Sequence, residues 1–281
     1  MSIFHYNSYM KYKLSVVIPA HNRSNNIKEL VTKFLEINDV EIIVIENGSN
    51  KKEKVLYKTI EKEYKNQKNV KFFFNTWGSS SKARKEGANK STGSHIFFCD
   101  DDDFPTDEFV NWVNKNTLND EIYSFNLWTS RDKKLVFKSP KSFKDKEIKK
   151  ILQPSVWITT NKILKEIHKD KEYPLDITMG EDQILGLYIF RFAQSKDLKL
   201  NNTNIKSIMY GYSSGTTICK NNRNLENDLK INIWLKTIKK DNLVILMNNK
   251  MLKHRLSENK RGVYSTNSKL NKDLINKYKT I

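Results

Sequence analysis

The sequence predicts an α/β fold, a mostly parallel sheet flanked by helices, with a helical, basic C-terminal appendage. Three observations carry that expectation. Short apolar runs alternate with amphipathic stretches through the first hundred positions, the rhythm of βαβ units feeding a parallel sheet. The runs hold apolar residues consecutively, as strands covered on both faces do. Each run also ends in polar or turn-forming residues, at Pro19, Glu46 and Asp100, and the carboxyl ends of such strands line the ligand crevice of an open α/β sheet.

The β-branched run over 13–20, closed by Pro19-Ala20, is the first and central strand. After a turn over 21–26, Ile27, Leu30, Val31, Phe34 and Leu35 recur at helical spacing, with Ser24 or Asn25 as expected cap. Residues 40–45 form the second strand, ending in Glu46-Asn47-Gly48-Ser49, and a charged helix over 51–65 leads to a third strand over 70–74. A helix over 78–91, with Ala83, Gly87 and Ala88, feeds the run His95-Ile96-Phe97-Phe98-Cys99. That run delivers Asp100, Asp101, Asp102 and Asp103 and stops, with Gly93 and Pro105 as punctuation and a helix starting near Thr106.

The second half is less regular. Residues 122–128 and 134–137 form an antiparallel pair, and a Lys-rich connection leads to the stretch ending in Trp157-Ile158. Gly180-Glu181-Asp182-Gln183 opens a helix whose Ile184, Leu185, Leu187, Tyr188 and Phe192 are too dense for a surface element, so it is expected to be largely buried. A late strand over 204–212 follows, then a helical pattern over 224–256 and a polar, basic tail. Residues 1–222 are therefore expected as the catalytic domain and 223–281 as a helical, basic region.

With 38% hydrophobic residues over 281 positions the chain can bury a large core. Its formal charge of +18 calls for an anionic partner: a phosphate-bearing substrate, nucleic acid or an anionic membrane surface. Two cysteines, Cys99 and Cys219, exclude a disulfide framework and a zinc-ligand spacing and suit a reducing compartment. The first thirteen residues resemble no signal peptide and no apolar run is long enough to cross a bilayer, so the expectation is a cytoplasmic protein, free or peripheral at the inner membrane face.

Four adjacent carboxylates repel one another, so a fold that fixes them needs a compensating cation or leaves them solvated. An oxygen-only ligand set suits Mg2+ or Mn2+, with substrate phosphate filling further positions. The alternative is a solvated acidic turn that caps the next helix. Position at a strand end favours a site.

The sequence resembles glycosyltransferase family 2, inverting nucleotide-sugar transferases of GT-A fold, through four pieces in that family's order. Val16-Val17-Ile18-Pro19-Ala20-His21-Asn22-Arg23 resembles its nucleotide-contacting first strand, and Ile43-Val44-Ile45-Glu46-Asn47-Gly48-Ser49 its second. Arg84-Lys85-Glu86-Gly87-Ala88 through Asp103 resembles the helix and aspartate motif, and Gly180-Glu181-Asp182 the motif bearing the catalytic base. The resemblance implies donor binding by Pro19, Ala20, Asn22, Arg23, Glu46, Asn47, Arg84, Asp100 and Asp101. It implies metal ligation by Asp100, Asp102 and Asp103, catalysis by Asp182, and supporting or acceptor contacts from Glu181 and Trp157.

The chemistry such a transfer needs agrees. A diphosphate leaving group calls for cationic stabilisation and an acceptor hydroxyl calls for a base. The resemblance thus implies a hexosyltransferase moving a sugar, expected from a UDP-sugar, to a saccharide or lipid-linked acceptor in bacterial surface polysaccharide synthesis. Two departures stand out. Glu46-Asn47 replaces the paired aspartates usual at the second strand's end, and the loop 210–216 lacks the histidine many relatives carry. Tryptophans stack on sugars but are mostly core residues; of Trp77, Trp128 and Trp157, the last is the best candidate.

The basic tail, with Lys239, Lys240, Lys250, Lys253, Arg255, Lys260 and Arg261, suits either an in-plane helix on anionic lipid or a packed helix with a solvated face. A nucleotidyltransferase would want a Gly-rich loop after the first strand, which Ala20-His21-Asn22-Arg23-Ser24 lacks. A nucleic-acid-binding protein would explain the charge but not the aspartates, and nucleic acid is not an expected partner.

Overall fold

The first strand, β1 (Tyr12–Ala20), is buried from Leu14 to Ala20 because it has a strand on either side. It pairs in parallel with β2 (Val40–Asn47) and with β4 (Gly93–Phe98), and β3 (Val70–Asn75) continues the parallel set beyond β2. The crossovers are α1 (Ser24–Phe34), α2 (Lys51–Glu63) and α3 (Ser80–Lys90). All four carboxyl ends therefore lie on one edge of the sheet, as the sequence rhythm predicts. The computed structural model describes residues 11–129, 135–144, 157–169, 175 and 181–210.

Beyond β4 the sheet turns mixed. Its order is β3-β2-β1-β4-β8-β6-β9-β5, with β7 beside β6. The added elements are β5 (Phe104–Pro105), α4 (Asp107–Lys115), β6 (Ile122–Thr129), β7 (Leu135–Phe137), β8 (Trp157–Thr160), α5 (Asn161–Lys169), α6 (Glu181–Ser195) and β9 (Leu200–Tyr210). The expected antiparallel β6–β7 pair forms, and β8 runs antiparallel to β4 with Phe97 opposite Ile158. Trp157, the first residue of β8, thus sits beside the carboxyl end of β4.

Two boundaries differ from expectation, and one helix is additional. β9 begins at Leu200 rather than 204: its Asn201-Asn202-Thr203-Asn204 start reads as loop, but Asn204 has φ 56° beside a register irregularity and the pairing with β6 continues past it. The N-cap of α1 is Arg23, whose guanidinium has no acceptor and makes no capping bond, and the Ser24 N–H donates to the Glu53 carboxylate at 2.9 Å. The helix α5 was not anticipated. It buries Ile163, Leu164, Ile167 and His168. The helix expected near Thr106 forms as α4, with Thr106 itself as the cap, accepting the Phe109 N–H at 3.1 Å, and Ile184, Leu185, Ile189, Phe190 and Ala193 bury α6 on more than one stripe.

Packing of α3 and β4 onto β1 relies on two glycines. A Cβ on Gly87 would lie 2.2 Å from Val17 Cγ1, and one on Gly93 would lie 2.6 Å from Ser15 Oγ. The core between α1, α4 and the sheet is aromatic, with Phe97 and Phe109 ring centroids 4.5 Å apart and Phe109 and Phe125 5.2 Å apart. At the amino-terminal end of the sheet Glu41 is fully buried and accepts from Ser15 Oγ, the Thr92 N–H and hydroxyl, and Lys71 Nζ. Burial pushes that carboxyl up, but these donors outweigh it and hold it below the ordinary glutamate value.

The chain divides into two compact units, residues 1–173 with 182–215, and residues 174–181 with 216–281. Leu175 and Glu181 are the described residues of the second. The expected helical region over 224–256, the basic tail, the loop over 211–216, Gly180 and residues 153–156 lie outside the described residues. Among the described residues no helix is long and apolar enough to cross a membrane.

Candidate active site

At the carboxyl edge the loops after β1, β2 and β3 are tied into one frame. Asn22, in left-handed conformation at φ 56°, donates its N–H to Ser49 Oγ at 2.9 Å and accepts from the Asn50 N–H at 2.9 Å. His21 Nδ1 lies 3.0 Å from the Asn47 carbonyl, which makes Nδ1 the protonated nitrogen. Asn47 Oδ1 accepts the Ser79 N–H at 3.2 Å. Gly48, at φ 78°, passes so close to the next loop that a Cβ would stand 3.0 Å from the Gly78 nitrogen. Asn50 caps α2 and Ser79 caps α3, so the amino termini of α1, α2 and α3, each with its partial positive charge, all begin at this edge.

The four aspartates following β4 are sorted by the turn they make. Asp100 has a 41% exposed side chain and accepts from Arg84 Nη2 at 2.7 Å, while Arg84 itself is buried on α3. Asp101 points inward. It accepts the His21 N–H at 2.7 Å and pairs with Arg23 Nη1, and its carbonyl accepts from Asn26 Nδ2 at 2.7 Å. Asp102 lies nearer the surface, 3.2 Å from Arg23 Nη2. Asp103 is buried, its N–H donating to the Asp100 carbonyl at 3.1 Å.

Burial pushes the Asp101 carboxyl up to about 7 against the pull of Arg23 and the His21 N–H. Burial and then neighbouring Asp100 raise Asp102. The two carboxylates that remain nearer the surface, Asp100 and Asp102, are an oxygen-only pair whose mutual repulsion a cation relieves, and that donor set fits a hard divalent ion that keeps other positions for phosphate and water. Asp103, expected as a third ligand, lies in the interior instead, because the turn alternates the side chains. Among the described residues no trio of His, Cys, Asp or Glu is arranged to hold a metal.

The other expected site residues divide. Pro19 and Ala20 are buried at the end of β1, and Asn47 is spent on the loop frame. Glu46 is fully buried: Oε1 accepts the Ser49 N–H, while Oε2 accepts no hydrogen bond among the described residues and lies 3.9 Å from Lys54 Nζ. Arg23 serves two aspartates. Trp157 is 1% exposed, its ring stacked on Phe143 at 6.3 Å; no face is left for a sugar, and the expected acceptor contact becomes a core contact. Phe143 in turn meets Phe190 at 5.5 Å and accepts from Gln194 Nε2, which fixes the later turns of α6. At its start Glu181 is buried and Asp182 half-buried.

Several contributors went unremarked in the sequence. Tyr57 accepts the Arg23 N–H at 3.2 Å from the middle of α2, a contact no spacing reveals. Asn50 and Ser79 were legible as caps three residues before Glu53 and Lys82. Trp77, weighed in the sequence behind Trp157 as a sugar-stacking candidate, is 41% exposed in the loop between β3 and α3.

Comparison with known proteins accords with this frame. A family model described as glycosyl transferase family 2 matches residues 15–154, from β1 through the aspartate turn to β7 and beyond. No curated protein matches the chain by sequence. Among solved structures, S. aureus TarS 1–349 in complex with UDP is similar with a TM-score of 0.60 at 16% identity, over 87% of this chain and 70% of that one. The same fragment in complex with UDP-GlcNAc gives 0.58 at 17%, over 87% and 71%. The mannosyltransferase PcManGT from Pyrobaculum calidifontis, in complex with GDP-Man and Mn2+, gives 0.54 at 12%, over 86% and 70%. These likenesses are of fold, the GT-A fold. With the family match spanning the strands and turns that build the site, the chain belongs to glycosyltransferase family 2 and is a glycosyltransferase.

Proposed function

We propose that the protein transfers a sugar from a nucleotide-sugar, a UDP-sugar, to a hydroxyl of a saccharide or lipid-linked acceptor, inverting the anomeric carbon, as a step in building a bacterial surface polysaccharide. The observation that carries this reading is the pair Asp100 and Asp102 at the carboxyl edge of a parallel sheet, framed by three helix amino termini. Diphosphate oxygens are bound by such termini, and the UDP and UDP-GlcNAc complexes of TarS support uridine as the nucleoside.

Asp100 and Asp102 would hold a Mg2+ or Mn2+ ion, as the Mn2+ complex of PcManGT supports. When bound, that ion supplies charge neutralisation for the departing diphosphate. Arg84 fixes the Asp100 carboxylate from α3. Asp182, at the start of α6, takes the proton of the acceptor hydroxyl as its oxygen bonds to the anomeric carbon. The bond from that carbon to the diphosphate oxygen breaks, its electron pair leaving with the nucleotide. Glu181 supports the acceptor side.

The test is nucleotide release from a panel of UDP-, GDP-, CDP- and dTDP-sugars, with Mn2+ or after chelation, with the anomeric configuration of any product read by NMR. Metal-dependent release of UDP with an inverted product is expected. Retention of configuration overturns the displacement mechanism. Release of another nucleotide alone overturns the donor.

A further inference from the structure

Each of the two surface-proximal carboxylates already faces a guanidinium, and the two arginines are held differently. Arg84 is anchored within α3, its side chain 3% exposed against Asp100. Arg23 sits in the turn before α1, and its guanidinium spans two carboxylates: Nη1 at Asp101 and Nη2 at Asp102. Asp101 is buried and fixed by the His21 N–H, and the Arg23 backbone N–H is fixed on Tyr57. Asp101 is therefore the anchor, and Asp102 is the carboxylate Arg23 reaches from it. The planar, five-donor fork of arginine suits that double contact; the single ammonium of lysine does not.

We propose that Arg23 is a tethered cation that occupies Asp102 and competes with a divalent metal for it, so that metal enters together with the donor diphosphate. The proposal rests on the reading of Asp100 and Asp102 as the metal-holding pair. With Arg23 in place, a metal at Asp102 sets two positive groups against one carboxylate. A diphosphate offers the guanidinium a second, bidentate acceptor and frees Asp102. Metal and nucleotide then bind synergistically, and the coupling is reciprocal. Arg23 thereby acts as a positioning residue that guards against loading metal without donor.

The test is titration with Mn2+, followed by electron paramagnetic resonance of the free ion, on wild type, Arg23→Gln and Arg23→Lys, each alone and with UDP or GDP, with thermal melting in parallel. Arg23→Gln should bind Mn2+ alone about tenfold or more tightly than wild type, the scale of one charge-assisted contact. Arg23→Lys, whose single ammonium does not span Asp101 and Asp102 together, should bind Mn2+ alone more tightly than wild type and less tightly than Arg23→Gln. Wild type should gain about tenfold or more in Mn2+ affinity with one of the two nucleotides, within the usual range of coupling.

A folded Arg23→Gln that binds Mn2+ no more tightly than wild type, with Mn2+–nucleotide binding intact, overturns the competition while leaving the metal reading standing. Absence of Mn2+ binding under every condition overturns both. If Arg23→Gln does not fold, wild type decides alone: no gain in Mn2+ affinity with either nucleotide overturns the proposal.

Discussion

Replacing Gly87 by alanine tests how closely the site-bearing helix α3 is pressed onto the central strand. In an exposed helix that change stabilises by about 1 kcal/mol, since glycine is the poorer helix former. In this protein the new Cβ would stand 2.2 Å from Val17 Cγ1, 3.2 Å from Cγ2 and 3.3 Å from Cβ, and ordinary contact begins near 3.4 Å. About 1 Å of movement is needed. Val17 is fully buried and β-branched, so its rotamer is stiff and the helix must move instead. Overpacking costs about 1–3 kcal/mol, an overlap this deep about 2–3, and the propensity gain offsets about 1 of it, so Gly87→Ala is expected to destabilise by about 1–2 kcal/mol.

Arg84 lies one turn earlier on α3 and ion-pairs with Asp100, so the displaced helix should also weaken nucleotide binding. Urea unfolding followed by circular dichroism, at constant m-value, gives the stability change. Adding Val17→Ala should recover about 1–2 kcal/mol of it as coupling between the two sites. A Gly87→Ala protein as stable as wild type or more so, with no coupling to Val17, would refute the close packing of α3 on β1.

Glu41→Ala leaves four donors without their acceptor in the sheet and should cost about 3–5 kcal/mol in urea unfolding, as removing one partner of a buried ion pair does. The Glu41 contribution is present above the unfolded glutamate value and is lost as pH falls through its lowered folded one. His168, buried on α5, is lowered to about 4 by burial and then by Lys85. Below about 6.5 the unfolded chain takes up a proton that the folded chain refuses, so stability falls with pH between those values, by about 2 kcal/mol at pH 5. The difference in unfolding free energy between wild type and His168→Gln should therefore change by that amount between pH 7.5 and pH 5; a pH-independent difference would contradict it. Asp182→Asn should lower kcat by about 100-fold to 10,000-fold, the range of a lost general base, with the nucleotide Kd unchanged. A parallel loss of nucleotide binding moves Asp182 to the donor side.

The parallel half of the fold was legible because strands buried on both faces leave unbroken apolar runs, as in Val16-Val17-Ile18 and Ile42-Ile43-Val44-Ile45, and because turns mark their ends. The mixed half was harder. The polar start of β9, Asn201-Asn202-Thr203-Asn204, pairs through backbone bonds that side-chain type does not report, and α5 was overlooked beside the strand that feeds it. In the site, the aspartate turn could be located but not sorted. Which carboxylates face out depends on the His21 N–H and on Arg23, some eighty residues away in sequence. Trp157 was misjudged for a similar reason: a ligand-like residue type at a strand end does not reveal that Phe143 already covers it.

The central claim, a nucleotide diphosphate bound through Asp100 and Asp102, is tested most directly by calorimetric titration with UDP, GDP, CDP and dTDP, with and without Mn2+, on wild type and Asp102→Ala. The account predicts UDP binding that requires Mn2+ and disappears in Asp102→Ala while the variant still melts as a folded protein. Binding of no nucleotide under any condition, or binding indifferent to both Mn2+ and Asp102, would contradict it.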